Sequence, residues 1–293
     1  MRTSQQFTEW LLAQNRTPAT VRNYRSDLRM FGHWFEQTKG HPFVTPEQLQ
    51  TAVVQEYKQY MVMEVNRKAS TINRQLAALG TYSRWAQAMG LLDHNPAEAV
   101  RTVAIPKQTT RWLSSQEQTA LLKEVSGLIQ LARTPKAQFL STRNQAIVLM
   151  VLNSGLRIGE VCELNTNNLH IATKNGHIQI QLGEGIDERT ILLNAQATET
   201  LDAWLSIRLE WLDMPGSPEN HVFVGQQGFP IQTRNIQKMI TKLGNRIGMK
   251  LTWRVLRHTF AKNLIKAGVS LEEVAAILGY KNVSAARTYV SPP

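Results

Sequence analysis

RVLRHTFAKNLIKAGVSLEEVAAILGYKNVSAARTYV, residues 254–290, is the stretch that decides how this 293-residue chain reads. Arg254 and Arg257 lie three apart, so a helix puts both guanidinium groups on one face while Leu256 and Phe260 turn to the core. Two cations on one face repel, and an anion held between them removes that penalty. Tyr280 follows the pair Leu278-Gly279, and Tyr289 comes nine residues later. Paired arginines and a tyrosine suggest a phosphodiester site with a tyrosine nucleophile. A phenol of pKa about 10 is a poor nucleophile near neutrality, so Tyr289 needs a charge-rich pocket or a nearby base.

Upstream, residues 153–160 read NSGLRIGE. An apolar helix (AIVLMVL, 146–152) breaks at Asn153-Ser154-Gly155, and a new helix begins. Arg157 at that break, beside free helical N–H groups, is placed to grip a phosphate oxygen. Three arginines around one phosphate would offset the charge of a pentacoordinate transition state. Removing one preorganised donor of this kind typically costs roughly 3–4 kcal/mol. Cys162, the one cysteine, excludes an internal disulfide and a cysteine-based zinc site, and reads as a buried structural thiol.

The net charge is +11, of which +4 falls in residues 1–105 and +7 in residues 106–293. A surplus on both parts without a polybasic tail favours a polyanion touched by two domains. A generally basic soluble protein fits the charge equally well. The apolar run at 146–152 is far short of a membrane span, and MRTSQQFTEW lacks the apolar core of a signal peptide. The expectation is a cytoplasmic, nucleoid-associated protein with no membrane partner.

The first hundred residues read as four helices. Phe7, Trp10 and Leu11 share one face. Thr17-Pro18 opens a second helix, with Val21, Tyr24, Leu28, Phe31 and Phe35 along one stripe and Arg22, Arg25 and Arg29 outside. A third begins near Pro46 and ends before Arg67, and a fourth runs from Ser70 to Gly90. Residues 101–112 (RTVAIPKQTTRW) are polar, with Pro106, and read as extended linker. The resulting boundaries are a first domain over 1–103, a linker over 104–112 and a second domain over 113–293. Ser114 or Ser115, with Glu117, caps the next helix. In HIQIQLGEGIDERTILLN, Ile178, Ile180 and Leu182 alternate with polar residues and a glycine-rich turn leads back, which makes a hairpin.

These motifs together resemble the tyrosine site-specific recombinases, or phage integrase family, with its Xer-type members. TPATVRNYRSDLRMF and STINRQLAAL are similar to the family's core-binding domain, SGLRIGE to its first arginine box, and LRHTFAKNLIKAGVSLEEVAAILGY with Tyr289 to its second. The resemblance implies a mainly α fold, in which a four-helix SAM-like core-binding domain precedes an α-rich catalytic domain with a small antiparallel β-sheet. It implies that Tyr289 attacks a DNA phosphate, leaving a 3′-phosphotyrosine and a free 5′-hydroxyl, with Arg157 and Arg257 on the non-bridging oxygens. Glu160 would orient Arg157. No cofactor or metal is implied, because the partner strand's 5′-hydroxyl reverses the step. The implied partner is double-stranded DNA with paired recombinase-binding arms, held by a homotetramer on synapsed duplexes and by a monomer or dimer when free. Arg22, Arg25, Arg74 and Arg84 in the first domain, and Lys238, Lys242 and Arg246 in the second, are the candidate phosphate contacts.

The chain departs from the family pattern at four places. Arg254 stands where the family usually has histidine, and an arginine does not exchange protons near neutral pH. Tyr280 replaces a histidine or tryptophan and keeps one hydrogen-bond donor. Glu184 falls at the family's general-acid lysine, leaving Lys174, Arg189 and Lys281 as substitutes with none preferred. Only Val290, Ser291, Pro292 and Pro293 follow Tyr289, where relatives dock a segment on a neighbouring protomer, and a diprolyl end cannot extend a helix. Two alternatives stay open: a DNA-binding regulatory relative with weakened catalysis, and a type IB-like topoisomerase.

Overall fold

The computed structural model describes residues 2–106, 110–171, 176–180, 188–212, 220–280 and 282–289, with side chains from residue 5. The turn GEGID with Glu184, the substitutes Lys174 and Lys281, Leu182 and the four C-terminal residues lie outside them. By internal contacts the chain divides into two compact units, Met1–Gln108 and Thr109–Pro293.

In the first unit, α1 (Arg2–Ala13) is followed by α2 (Pro18–Lys39). Proline at the first helical position loses no bond, and the Thr17 hydroxyl accepts from the amide of Thr20, so the start of α2 is satisfied locally. The third helix starts later than its sequence suggested. Pro46–Gln48 form a single 3₁₀ turn, whose Gln48 side-chain oxygen accepts from the amides of Val44 and Thr45 at 2.7 and 2.9 Å. Those bonds close the turn, the chain extends at Gln50, and α3 runs Thr51–Met63. The fourth helix, α4, spans Ala69–Ala88.

The stripe of α2 also needs correction. Val21, Phe31, Trp34 and Phe35 are buried, whereas Tyr24 and Leu28 are only partly so. Asp27 lies on the buried face, paired with Arg74 of α4. Burial pushes its carboxyl pKa up while Arg74 pulls it down. Aromatic rings fill the rest of this core, with Phe31 edge-on to Tyr57 at 5.1 Å and Phe7 edge-on to Tyr82 at 5.3 Å.

The second unit opens at α5 (Ser115–Gln130), with Ser114 as cap. Its hydroxyl accepts from the Glu117 amide at 3.1 Å, and the Glu117 carboxylate accepts from the Ser114 amide at 2.8 Å. The central helix is α6 (Pro135–Ser154), in which residues 146–152 are buried without exception. After it come α7 (Ile158–Glu163) and a sheet of β1 (Leu169–His170), β2 (His177–Ile180) and β3 (Arg189–Leu192), antiparallel in that order. Ile178 pairs with Ile191, and both face the core. A two-residue strand such as β1 carries no alternation, so sequence could not reveal it. Helices α8 (Ala195–Trp211), α9 (Thr233–Arg246), α10 (Trp253–Lys266) and α11 (Leu271–Leu278) lead to a 3₁₀ segment, Val283–Tyr289. That segment packs with α10 and α11 in a small cluster of its own, including Phe260, Val274, Leu278, Ala286 and Tyr289. No helix among the described residues is long and apolar enough to cross a membrane.

Gly155 ends α6 in the left-handed region at φ 59°, and a Cβ there would fall 2.4 Å from Phe260 and 2.7 Å from Leu278. Gly155→Ala should combine left-handed strain with overpacking and lower stability by roughly 2–4 kcal/mol. Gly40→Ala meets nothing within 4 Å at φ 75° and should lose only about 1–2 kcal/mol. Urea unfolding reads both, and equal losses would contradict the packing part.

Candidate active site

Two left-handed glycines, at Gly155 and Gly279, turn the ends of α6 and α11 so that their carbonyls face the arginines. Arg257, buried on α10, donates to the Gly155 carbonyl and, at 2.6 Å, to that of Leu278. Its guanidinium also lies 5.3 Å from the Tyr280 ring centroid. Arg157 caps α7. Its amide donates to Glu160 at 2.6 Å, one guanidinium nitrogen donates to the same carboxylate at 2.8 Å, and the other to the Gly279 carbonyl. The amide expected to be free beside Arg157 is therefore taken by Glu160, because a capping carboxylate three residues on reaches back to it. Arg254 is exposed, one turn before Arg257. All three arginines line one cavity of about 710 Å³, which His258 and Tyr280 line as well.

Tyr289 is 1% exposed and is not among the residues lining that cavity. Its hydroxyl is 2.9 Å from that of Tyr280, its ring lies edge-on to His258 at 5.3 Å, and its carbonyl accepts from Lys262 at 2.7 Å. Burial raises the phenol's pKa above its ordinary value, the Tyr280 bond adds to this, and Arg257 and Arg254 oppose it. So the phenol that reaches the cavity in this conformation is Tyr280, with Tyr289 directly behind it.

Beneath Arg157 sits Arg189 at the start of β3, its side chain 10% exposed. It donates to Glu160 at 2.8 Å, so one carboxylate carries both arginines. Its Nε and Nη1 are buried with no partner among the described residues. Burial lowers its pKa, Glu160 raises it, and Arg157 and Arg257 lower it again. No local pattern marked this ladder, since 29 residues separate Arg189 from Glu160.

The basic residues expected to meet DNA divide by their partners. Arg22 and Arg25 are exposed on α2, and Arg84 on α4 donates to Thr81 at 2.9 Å. Arg74 and Arg246 are held by Asp27 and Glu124. Lys238 and Lys242 line a groove with Arg234, Gln237 and Thr241 on α9, and the last two also line the arginine cavity. A basic track thus runs along α9 into the cavity, and Arg234 is a member that sequence reading missed. Cys162 is half-buried, and burial raises its thiol pKa to about 11, which keeps it from nucleophilic work at neutral pH.

A phenol packed behind guanidinium groups equips an enzyme that transfers a phosphoryl group onto its own side chain. Comparison with known proteins narrows that class. Residues 118–292 match the Phage integrase family, and residues 5–90 match the phage integrase N-terminal SAM-like domain. Among similar proteins, the tyrosine recombinase XerC of Thermodesulfovibrio yellowstonii is 27% identical over 92% of this chain and 84% of its own length. The XerC of Xanthomonas axonopodis pv. citri is 26% identical over 97% of this chain and 90% of its own. The fold is similar to that of XerH recombinase in a post-cleavage complex with difH substrate, at 18% identity and a TM-score of 0.74, over 95% of this chain and 78% of that one. It is similar also to the Tn1549 transposon integrase bound to right-end DNA, at 16% identity and a TM-score of 0.74, over 99% of this chain and 95% of that one. The chain belongs to the phage integrase family, the tyrosine recombinases that cleave and rejoin DNA.

Proposed function

We propose that this protein exchanges strands between two DNA duplexes at a specific site, through a 3′-phosphotyrosyl intermediate on Tyr289. One observation carries this reading: Arg157, Arg254 and Arg257 line a single cavity, with the Tyr280 hydroxyl at its wall 2.9 Å from that of Tyr289. A phosphate entering the cavity competes with the backbone carbonyls for the donors of Arg157 and Arg257. A phosphate oxygen carries net negative charge where a carbonyl carries only a dipole, and a guanidinium can pair with phosphate through two parallel bonds, so the phosphate prevails. Arg254 adds a third cation and Tyr280 one donor.

Tyr289 then leaves Tyr280 and turns toward the phosphorus. That move removes burial, the main cause of its raised pKa, and brings the arginines that stabilise phenolate closer. The phenol oxygen bonds phosphorus, the 5′-oxygen departs, and the 5′-hydroxyl of the partner strand later reverses the step.

Arg22, Arg25, Arg74, Arg84, Lys238, Lys242 and Arg246 set the register on paired arms through phosphate contacts. Four protomers act on two synapsed duplexes, and the free protein is a monomer or dimer. The setting is the cytoplasm, at the nucleoid. Relatives solved with difH substrate and with transposon end DNA support double-stranded DNA as the partner.

The test is a nicked suicide duplex cut from the ends of the element that encodes the chain, labelled on either side of the crossover. The expected result is a denaturation-resistant adduct holding the 3′-phosphate side, with the 5′-hydroxyl fragment released. Tight binding with no adduct would instead mark a regulatory relative, and relaxation of a supercoiled plasmid without synapsis would mark a type IB-like topoisomerase.

A further inference from the structure

We propose that His258 accepts the proton of Tyr289 during strand cleavage and returns it during rejoining. The proposal rests on the function above and deepens it. Arg254, one turn before Arg257, lines the cavity with a guanidinium, which cannot serve as base near neutral pH. The cavity nevertheless has an imidazole on its wall, one residue past Arg257. Nδ1 of His258 lies 3.2 Å from the backbone carbonyl of Arg111. A carbonyl only accepts, so Nδ1 carries the hydrogen and Nε2 keeps its lone pair. Nε2 has no partner among the described residues. The imidazole already touches the nucleophile, ring to ring at 5.3 Å.

The charged and titratable groups around His258 favour a neutral ring. Arg254 and Arg257 flank it on α10, and Arg157 stands on the same cavity's wall. The Tyr280 and Tyr289 phenols lie ahead, Lys262 holds the Tyr289 carbonyl, and the Arg111 side chain is tied to Glu117. Burial lowers the imidazole's pKa below its ordinary value, and the two α10 arginines lower it further against the bond it donates to the Arg111 carbonyl, which raises it. His258 is therefore ready to accept at neutral pH.

In cleavage the Tyr289 oxygen–phosphorus bond forms as the phosphorus–O5′ bond breaks. The electron pair goes to O5′, which takes a proton from water, while the Tyr289 proton passes to Nε2. In rejoining, the partner strand's O5′ bonds phosphorus and gives its proton to water as the bond from phosphorus to the Tyr289 oxygen breaks, and the imidazolium beside two arginines returns its proton to the departing phenolate.

The experiment is single-turnover adduct formation on the suicide duplex from pH 5 to 8, with duplex binding measured alongside. In the wild type the rate should fall as pH drops through the lowered pKa of His258, with the slope of one ionisation. His258→Gln, whose amide can still donate to the Arg111 carbonyl, should slow cleavage by about 10²–10⁴-fold at unchanged binding and lose the acid limb. Free imidazole should restore part of the rate of His258→Ala in proportion to its neutral form. A His258→Gln protein that keeps the wild-type rate, or a slowed one that keeps the acid limb, overturns the proposal. A wild-type protein that forms no adduct at any pH overturns the recombinase mechanism with it.

Discussion

Tyr289→Phe is expected to eliminate the covalent protein–DNA adduct, by on the order of 10⁶-fold, the scale seen when a hydrolase loses its nucleophile. Folding should hardly change. The ring keeps its place with Phe260, Val274 and Leu278, and only the bond to the Tyr280 hydroxyl is lost, about 0.5–1.5 kcal/mol. The pH dependence of stability separates folding from chemistry. Tyr289 titrates above its ordinary value in the folded protein, so its contribution is complete below the unfolded pKa of about 10 and fades as pH rises through the folded value. Wild type and variant should therefore melt nearly together at pH 7 and differ only in strong alkali. Duplex binding should stay within about twofold, since a buried hydroxyl makes no contact with a phosphate outside. Adduct persisting in Tyr289→Phe would transfer the nucleophile's role, and Tyr280, the phenol on the cavity wall, would be the residue to test next.

Much of this site was legible because it is built from short spacings. Arg254, Arg257 and the Leu278-Gly279-Tyr280 run lie on or just beyond two consecutive helices, and a three-residue interval fixes which side chains share a face. The capping serine, the hairpin and most helices were legible for the same reason, since caps and alternation act over a few residues. Three features were not. Asp27 interrupts an apolar stripe with a charge, and only Arg74, 47 residues away, explains why it can be buried. Arg189 reads from sequence only as one of three substitute proton donors, and its bond to the carboxylate that also holds Arg157 is not legible there. The retracted pose of Tyr289 depends on Lys262 and His258 from α10 and on Tyr280 beyond α11, contacts that no local rule encodes. What escaped was long-range pairing of charge and phenol around the residues that spacing had already singled out.

The second large effect separates two arginines that spacing alone makes equivalent. Arg257→Ala removes a buried guanidinium that satisfies the carbonyls of Gly155 and Leu278. Leaving a buried acceptor unmet costs about 1–3 kcal/mol, so losing two should lower stability by several kcal/mol and loosen the α6 and α11 ends beside the cavity. Cleavage should fall by more than the roughly 10²–10³-fold of a single lost donor, because Arg157 leans on the neighbouring carbonyl of Gly279. Arg254→Ala removes a side chain exposed to solvent, and its stability should stay within about 0.5 kcal/mol of wild type. Its cleavage should still drop by about 10²–10³-fold if the exposed guanidinium meets the phosphate. Thermal melts paired with adduct yields resolve the two. An Arg257→Ala protein as stable as wild type would mean that its carbonyl bonds contribute little to holding the cavity together. An Arg254→Ala protein with unimpaired cleavage would reduce the proposed phosphate clamp to two arginines and group Arg254 with the basic track along α9.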